Sequence, residues 1–321
     1  MKLSFLYRRQ TPQIVISLIL CTLILGFMIF APQTFLHSRI YIAYLSTIPF
    51  VGLIAIAMTF VIVAGEIDLS FPAVMAAAGF AFAKTYAFTT SPTLGLLSAL
   101  IIGIIAGLFN ALLVVGLKVP AIIATIGTQF FWRGITVLIA GGLAINMPEL
   151  RQTPLHHIFV GRFWDWLPAQ SLWLLSIAFC SWLIYKRHVW GDHIRFCGDN
   201  AAAAKMMGIP VTATRIGVFV FMGIITGLTG AMVCMEMASW WPTQGEGYML
   251  LSFAAVFIGG TSVYGGTGSI YGSVIGAIII GIIEAGIISC GLSGLWTRMI
   301  YGIIIIISVS IHAILIKKSQ D

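Results

Sequence analysis

The chain has 321 residues, of which 60% are hydrophobic and only 8% charged, and its mean hydropathy is +1.04. Soluble domains carry about a quarter charged residues, so a water-soluble fold is excluded and a polytopic bundle of membrane-crossing helices is expected. The net charge of +7 sits in short basic clusters between apolar runs, which fits loops on one side of a membrane rather than a nucleic-acid surface.

In chain order, MKLSFLYRRQTPQ is a basic flank with no small-residue cleavage site, so the first apolar run is expected to stay as an anchor. A helix crosses a bilayer with about 20 apolar residues. Such runs fall near 13–31, 46–64, 71–88, 94–116, 120–141, 168–186, 214–238, 249–264, 270–289 and 296–315. That gives about ten spans in an all-α fold, although glycine interruptions leave eight or nine open. With an even count and the amino terminus inside, the inner side receives Lys2, Arg8, Arg9, Lys118, Lys186, Arg187, Arg195, Lys205, Arg215, Lys317 and Lys318. The opposite side receives Arg39, Arg151 and Arg162, while Lys84, Arg133 and Arg298 lie in or near spans. Both termini and the long segment 187–213 are therefore expected in the cytoplasm. Outside, 142–167 is the longest loop, and Trp164, Trp166, Trp173, Trp240 and Trp241 suit an interfacial belt. Neither the adjacent His156 and His157 nor the scattered Cys21, Cys180, Cys197, Cys234 and Cys290 has metal or disulfide spacing, so no metal site is expected and the cysteines read as packing residues.

Inside 187–213 the stretch RFCGDNAAAAKMMGIPV stands out. Asp199 or Asn200 can cap a helix start, Ala201 to Met207 are good helix formers, Gly208 can end the helix and Pro210 bars its resumption. A short capped helix presenting small side chains beneath the membrane is a shape for docking into a partner. Gly198, Asp199, Asn200, Ala203, Ala204 and Gly208 are the candidate coupling residues.

Charged and polar groups within the apolar runs are the other candidates. Glu66, Asp68 and Ser70 in GEIDLS read either as a break lining a passage or as a polar turn in which Asp68 or Ser70 caps the next helix. Asn110, Thr128 and Gln129 read as interhelical hydrogen-bonders or as groups facing a hydroxylated solute. Arg133, deep in TQFFWRGITVL, is expected to pair with Glu284 in IIEAGII. Phe130, Phe131 and Trp132 read as packing or lipid-facing residues, with sugar stacking as the alternative. The glycines of GGTSVYGGTGSIYG allow close helix packing or a sharp break. This stretch has no lysine and so is not a nucleotide-phosphate loop. If ATP drives this chain, a separate subunit must hydrolyse it. Nothing resembles a nucleophile or metal set, so the chain itself is not expected to be an enzyme.

GDNAAAAKMMGIPV resembles the coupling segment of ABC importer permeases of the ribose/xylose/arabinose/autoinducer-2 branch, through Gly198, Asn200, Ala203, Ala204, Gly208, Ile209 and Val211. GEIDLS (65–70), PAIIATIGTQFFWRGI (120–135) and PTQGEGYMLLSFAAVFIGGTSVYGGTGSIYGSVIGA (242–277) are similar to further elements of that family in the same order, while Phe71-Pro72 departs from its usual pattern. The resemblance covers nearly the whole chain. It implies one transmembrane domain over 1–321 in a bacterial inner membrane, carrying a monosaccharide or small polyol by alternating access. It also implies a second permease copy or related chain, a cytoplasmic ATPase holding ATP-Mg, and a periplasmic or lipoprotein solute-binding protein. Spans 2–5 and 7–10 would form two inverted halves. A branched-chain amino acid permease is the nearest alternative, and an ion-driven carrier a more distant one.

Overall fold

The computed structural model describes residues 2–320, with side chains described for 13–307 and 310. The side chains of Lys2, Arg8, Arg9, Lys317 and Lys318 lie outside that set. The helices are α1 (Lys2–Phe30), α2 (Pro32–Phe35), α3 (Ser38–Val63), α4 (Phe71–Thr89), α5 (Pro92–Ala111, extended by a π turn over Leu112–Gly116), α6 (Ala121–Ala140), α7 (Pro154–Val160), α8 (Ala169–Arg187), α9 (Val189–Met206), α10 (Val211–Met237), α11 (Tyr248–Ile258), α12 (Ile270–Ser289) and α13 (Leu295–Gln320). Among the described residues the only strands are two-residue pairs, Ile145–Asn146 with Ser239–Trp240 and Arg162–Phe163 with Leu167–Pro168.

Each of the ten expected spans contains a helix, and among the described residues seven helices are long and apolar enough to cross a membrane alone. The eighth span is shorter than its apolar run suggests. Helix α11 stops at Ile258, because Gly260 at φ +82° turns the chain into an irregular segment reaching to 269.

Helices α3 and α10 form the core because they are apolar on every side. Residues 52–64 are buried without a break. Around them, α1, α5, α6 and the described part of α13 turn large apolar side chains outward, among them Leu25, Ile105, Leu138 and Ile306, as lipid-facing helices do. Small residues let the backbones touch. A methyl on Gly103 of α5 would sit 2.2 Å from the Gly223 carbonyl oxygen of α10, and one on Gly272 of α12 would sit 1.9 Å from that of Gly259.

Helix directions define two ends. Helix α1 runs alongside α12, with Ser17 meeting Tyr271 and Phe27 meeting Gly286, while α13 returns along α12 through Tyr301 and the Ile280 carbonyl. Both termini therefore share one end with α9, Lys118 and Arg215, called here the basic end.

Helices α3–α6 and α10–α13 divide most of the chain into two halves whose first helices run in opposite senses. Helix α3 runs toward the basic end and α10 away from it, since Glu66 just beyond α3 meets Arg215 at the start of α10. LSFPAV (69–74) and ALIIGII (99–105) in the first half match LSFAAV (251–256) and AIIIGII (277–283) in the second.

Candidate functional site at the basic end

Helix α9 is two helices meeting at Asn200, whose backbone is extended at φ −154° and ψ 98°. The first part is held down by aromatic contacts. Trp190 stacks on Phe60 at 5.7 Å, and the Arg195 guanidinium lies 5.3 Å over the Tyr185 ring while pairing with Asp192. The sequence does not announce this anchoring helix, since only Ala201 to Met207 reads as helical there. Its signal is the buried spacing of Ile194 and Cys197 after half-buried Trp190.

The second part, 201–206, starts on Asn200, whose Oδ1 accepts from the amides of Ala202 (3.1 Å) and Ala203 (3.0 Å). Asn200 is the cap, and Asp199 stands exposed beside it. The helix closes through Gly208 at φ +81°, with Ile209 N–H donating to the Ala204 carbonyl at 3.0 Å, the left-handed stop that glycine allows. Ala204 faces the protein body. Ala202, Lys205, Met206 and Met207 face outward, and Met206 keeps 85% of its surface exposed.

Gly198 also faces inward. A methyl there would lie 1.8 Å from the Val63 carbonyl oxygen and 2.6 Å from the Gly266 nitrogen, across the point where Gly266 N–H donates to Val63 O at 2.9 Å. A methyl on Gly265 would come within 3.1 Å of the Gly65 Cα. GEIDLS, GDN and GGTG, quoted separately in the sequence, are thus one backbone-to-backbone joint. Gly198 and Ala204 belong to the internal support of the 201–206 helix rather than to its outer face.

Beyond the joint, 65–70 is tied to α5 and α6. Asp68 Oδ1 accepts from the Ser70 amide (2.7 Å) and hydroxyl (2.6 Å). Asn110 Nδ2 donates to Ser70 Oγ (2.8 Å) and Asp68 Oδ2 (3.2 Å), and Thr128 Oγ1 donates to Asn110 Oδ1 (2.7 Å). All four residues are buried, so a charge at this depth is met by hydrogen bonds. Neither Asp68 nor Ser70 caps α4 through its side chain, because both are spent on this cluster. Gln129, half-buried on α6, makes no bond to it among the described residues. Glu66 turns the other way, where its Oε1 lies 3.2 Å from Arg215 Nε as an ion pair without hydrogen-bond geometry. Burial pushes the Glu66 carboxyl above its ordinary range, and Arg215 pulls it back in part.

Arg133 and Glu284 are not brought together. The Arg133 guanidinium donates to the carbonyls of Pro242, Gln244 (3.1 Å) and Pro72 (3.3 Å), whereas Glu284 lies on α12 near the Tyr301 hydroxyl (3.4 Å). The reason is backbone chemistry. The irregular segment before α11 and the first turn of α4 offer carbonyls to a fork-shaped donor at membrane depth. Trp240 is likewise no belt residue, being fully buried with Nε1 donating to the Ala76 carbonyl at 2.9 Å. Three of the five cysteines, Cys21, Cys180 and Cys290, are exposed rather than packed inside. Phe130 and Phe131 are exposed while Trp132 is buried. No group of three or more potential metal ligands occurs among the described residues.

The family described as branched-chain amino acid transport system, permease component, matches residues 40–309, a stretch that takes in the joint, the buried cluster and the capped helix. The chain belongs to this permease family. It is therefore a multi-pass membrane permease. Its relatives include the inner membrane ABC transporter permease protein YjfF of Escherichia coli, 32% identical over 87% of this chain and 85% of that one. The fructose import permease protein FrcC of Rhizobium meliloti is 30% identical over 95% and 86%. The ribose import permease protein RbsC of Bacillus subtilis is 32% identical over 80% of each. No solved structure matches the chain.

Proposed function

We propose that this permease is the inner-membrane subunit of an ATP-driven importer carrying a monosaccharide or related small polyol by alternating access. The observation that carries this reading is the 201–206 helix. It is capped at both ends, braced from behind by the glycine joint, and presents Ala202, Met206 and Met207 outward. A rigid rod joined by backbone contact to the end of α3 and to the segment between α11 and α12 can pass a push from a partner into both halves of the bundle. The partner is a separate cytoplasmic ATPase that holds ATP-Mg, so this chain performs no covalent chemistry and needs no cofactor of its own. A second permease copy or related chain completes the passage, and a periplasmic or lipoprotein binding protein delivers the solute. The whole of 1–321 acts as one transmembrane domain, with 187–213 as its coupling segment.

Sugar is favoured over branched-chain amino acids because the fructose, ribose and arabinose permeases align over 80–96% of this chain. Of the residues expected along the passage, Gln129 keeps a partly open side chain, and the Asp68, Ser70 and Asn110 cluster supports the wall behind it. Ala202→Glu places a charge on the outer face of the helix without touching the joint. It is expected to abolish co-purification with the ATPase while membrane insertion and yield persist. Undiminished co-purification would refute the docking role. Uptake of labelled ribose, fructose and leucine by cells expressing the complete system separates the substrate classes.

A further inference from the structure

Beside the 201–206 helix lies a cleft of about 470 Å³ that shares Ala202 with the proposed docking face but otherwise has no part in the proposed function. It is walled by Ala201, Ala202 and Lys205, by Thr212 and Arg215 at the start of α10, and by the 114–121 turn that carries Lys118. Three cations and one carboxylate face it, and that carboxylate, Glu66, is already paired with Arg215. Among the described residues neither Lys118 nor Lys205 has an acidic partner. Lys118 is held at φ +57°, a backbone region that side-chain-bearing residues rarely adopt.

Two helices also open on the cleft by their amino-terminal ends. Helix α6 starts after Pro120 and α10 after Pro210, and neither has a side-chain cap. Uncapped first-turn amides and the positive end of the helix dipole both favour an anion. Cations from three separate elements, two helix starts without a side-chain cap and a cavity within the size range of small-ligand sites share one location.

We propose that this cleft binds a phosphate group, supplied either by the headgroup of an acidic phospholipid or by a free phosphate in the cytoplasm. Lys118, Lys205 and Arg215 would neutralise its charge, and the Thr212 hydroxyl and first-turn amides would donate hydrogen bonds to its remaining oxygens. Because Lys205 belongs to the 201–206 helix and Lys118 to the turn before α6, an occupied site ties the coupling helix to the membrane domain. This assignment concerns the permease alone and does not depend on an ATPase docking at Ala202.

The test uses the full-length permease. In neutral detergent its melting is followed with inorganic phosphate against chloride at matched ionic strength. In nanodiscs of phosphatidylcholine with or without phosphatidylglycerol, retained acidic lipid is counted by native mass spectrometry. The expected result is a phosphate-dependent rise in melting temperature, or retention of phosphatidylglycerol, with Lys118→Gln and Lys205→Gln each weakening binding about tenfold, as loss of one charge-assisted hydrogen bond would. Both lysines are exposed, so the fold is spared. Arg187→Gln, exposed at the same end but outside the cleft, should change nothing. A response to inorganic phosphate alone identifies a soluble source, and retention of phosphatidylglycerol alone a lipid source. If neither probe binds, or if Arg187→Gln weakens binding as much as the lysine variants, the site is refuted.

Discussion

The glycine joint can be tested by adding one methyl group. In Gly198→Ala the new carbon would start 1.8 Å from the Val63 carbonyl oxygen, whereas carbon–oxygen contacts settle at about 3.3 Å or more. The backbones must part by roughly 1.5 Å to reach that spacing, which breaks the 2.9 Å bond from Gly266 N–H to Val63 O. Overpacking costs about 1–3 kcal/mol and the lost bond about 1 kcal/mol, so the total is about 2–4 kcal/mol. Gly208→Ala is the natural control. Gly208 sits at φ +81° with nothing within 4 Å of the added methyl, so only the left-handed backbone penalty of about 1 kcal/mol applies. Thermal unfolding of the two purified variants should show Gly198→Ala melting several degrees below Gly208→Ala, with transport lost in the former. Equal melting temperatures would show that the three segments do not meet at Gly198.

Arg215→Gln should destabilise the protein by about 1–3 kcal/mol at neutral pH, by leaving a mostly buried charge without its partner. Burial already raises the Glu66 carboxyl above its ordinary range, and losing Arg215 raises it further. The ionised form is the one that suffers, so the deficit against wild type should shrink as pH falls through the raised value and vanish below the ordinary one. A deficit independent of pH would contradict this. Asn110→Ala leaves Asp68, Ser70 and Thr128 short of partners within the bundle and should cost about 2–4 kcal/mol, against about 1 kcal/mol for Thr128→Val, read by thermal unfolding. Exchanging the charges as Arg133→Glu with Glu284→Arg should rescue neither single substitution, because Arg133 binds carbonyls. Recovered stability in the double variant would restore the ion pair.

Span positions were legible because about 20 consecutive apolar residues admit few alternatives. The short helix was legible because a cap, a helix-forming run and a Gly-x-Pro stop are local signals. Which residue caps was not legible, since Asp199 and Asn200 are chemically equivalent as caps and only the anchoring of 189–199 chooses between them. The glycine joint was hidden for a different reason. Gly65, Gly198 and Gly266 are far apart in sequence, and a glycine required for close approach looks the same as one required for a turn. Arg133 misled because charge pairing is the default for an intramembrane cation, whereas the free carbonyls around Pro72 and Pro242 exist only once the chain is folded. The internal repeat was present in the letters, in LSFPAV and LSFAAV, but it covers short blocks separated by unequal insertions.

The role of the 201–206 helix is tested most directly by cross-linking. Met206→Cys, in a chain with the exposed Cys21, Cys180 and Cys290 replaced by serine, would be co-expressed with the ATPase subunit of the same system and treated with a short thiol-to-amine cross-linker. Phe88→Cys, exposed at the opposite end, is the control. A covalent permease–ATPase adduct from position 206 and none from position 88 is the expected result. No adduct at 206 in a complex that still assembles, or equal adducts at both positions, would contradict the assignment of this helix as the coupling element.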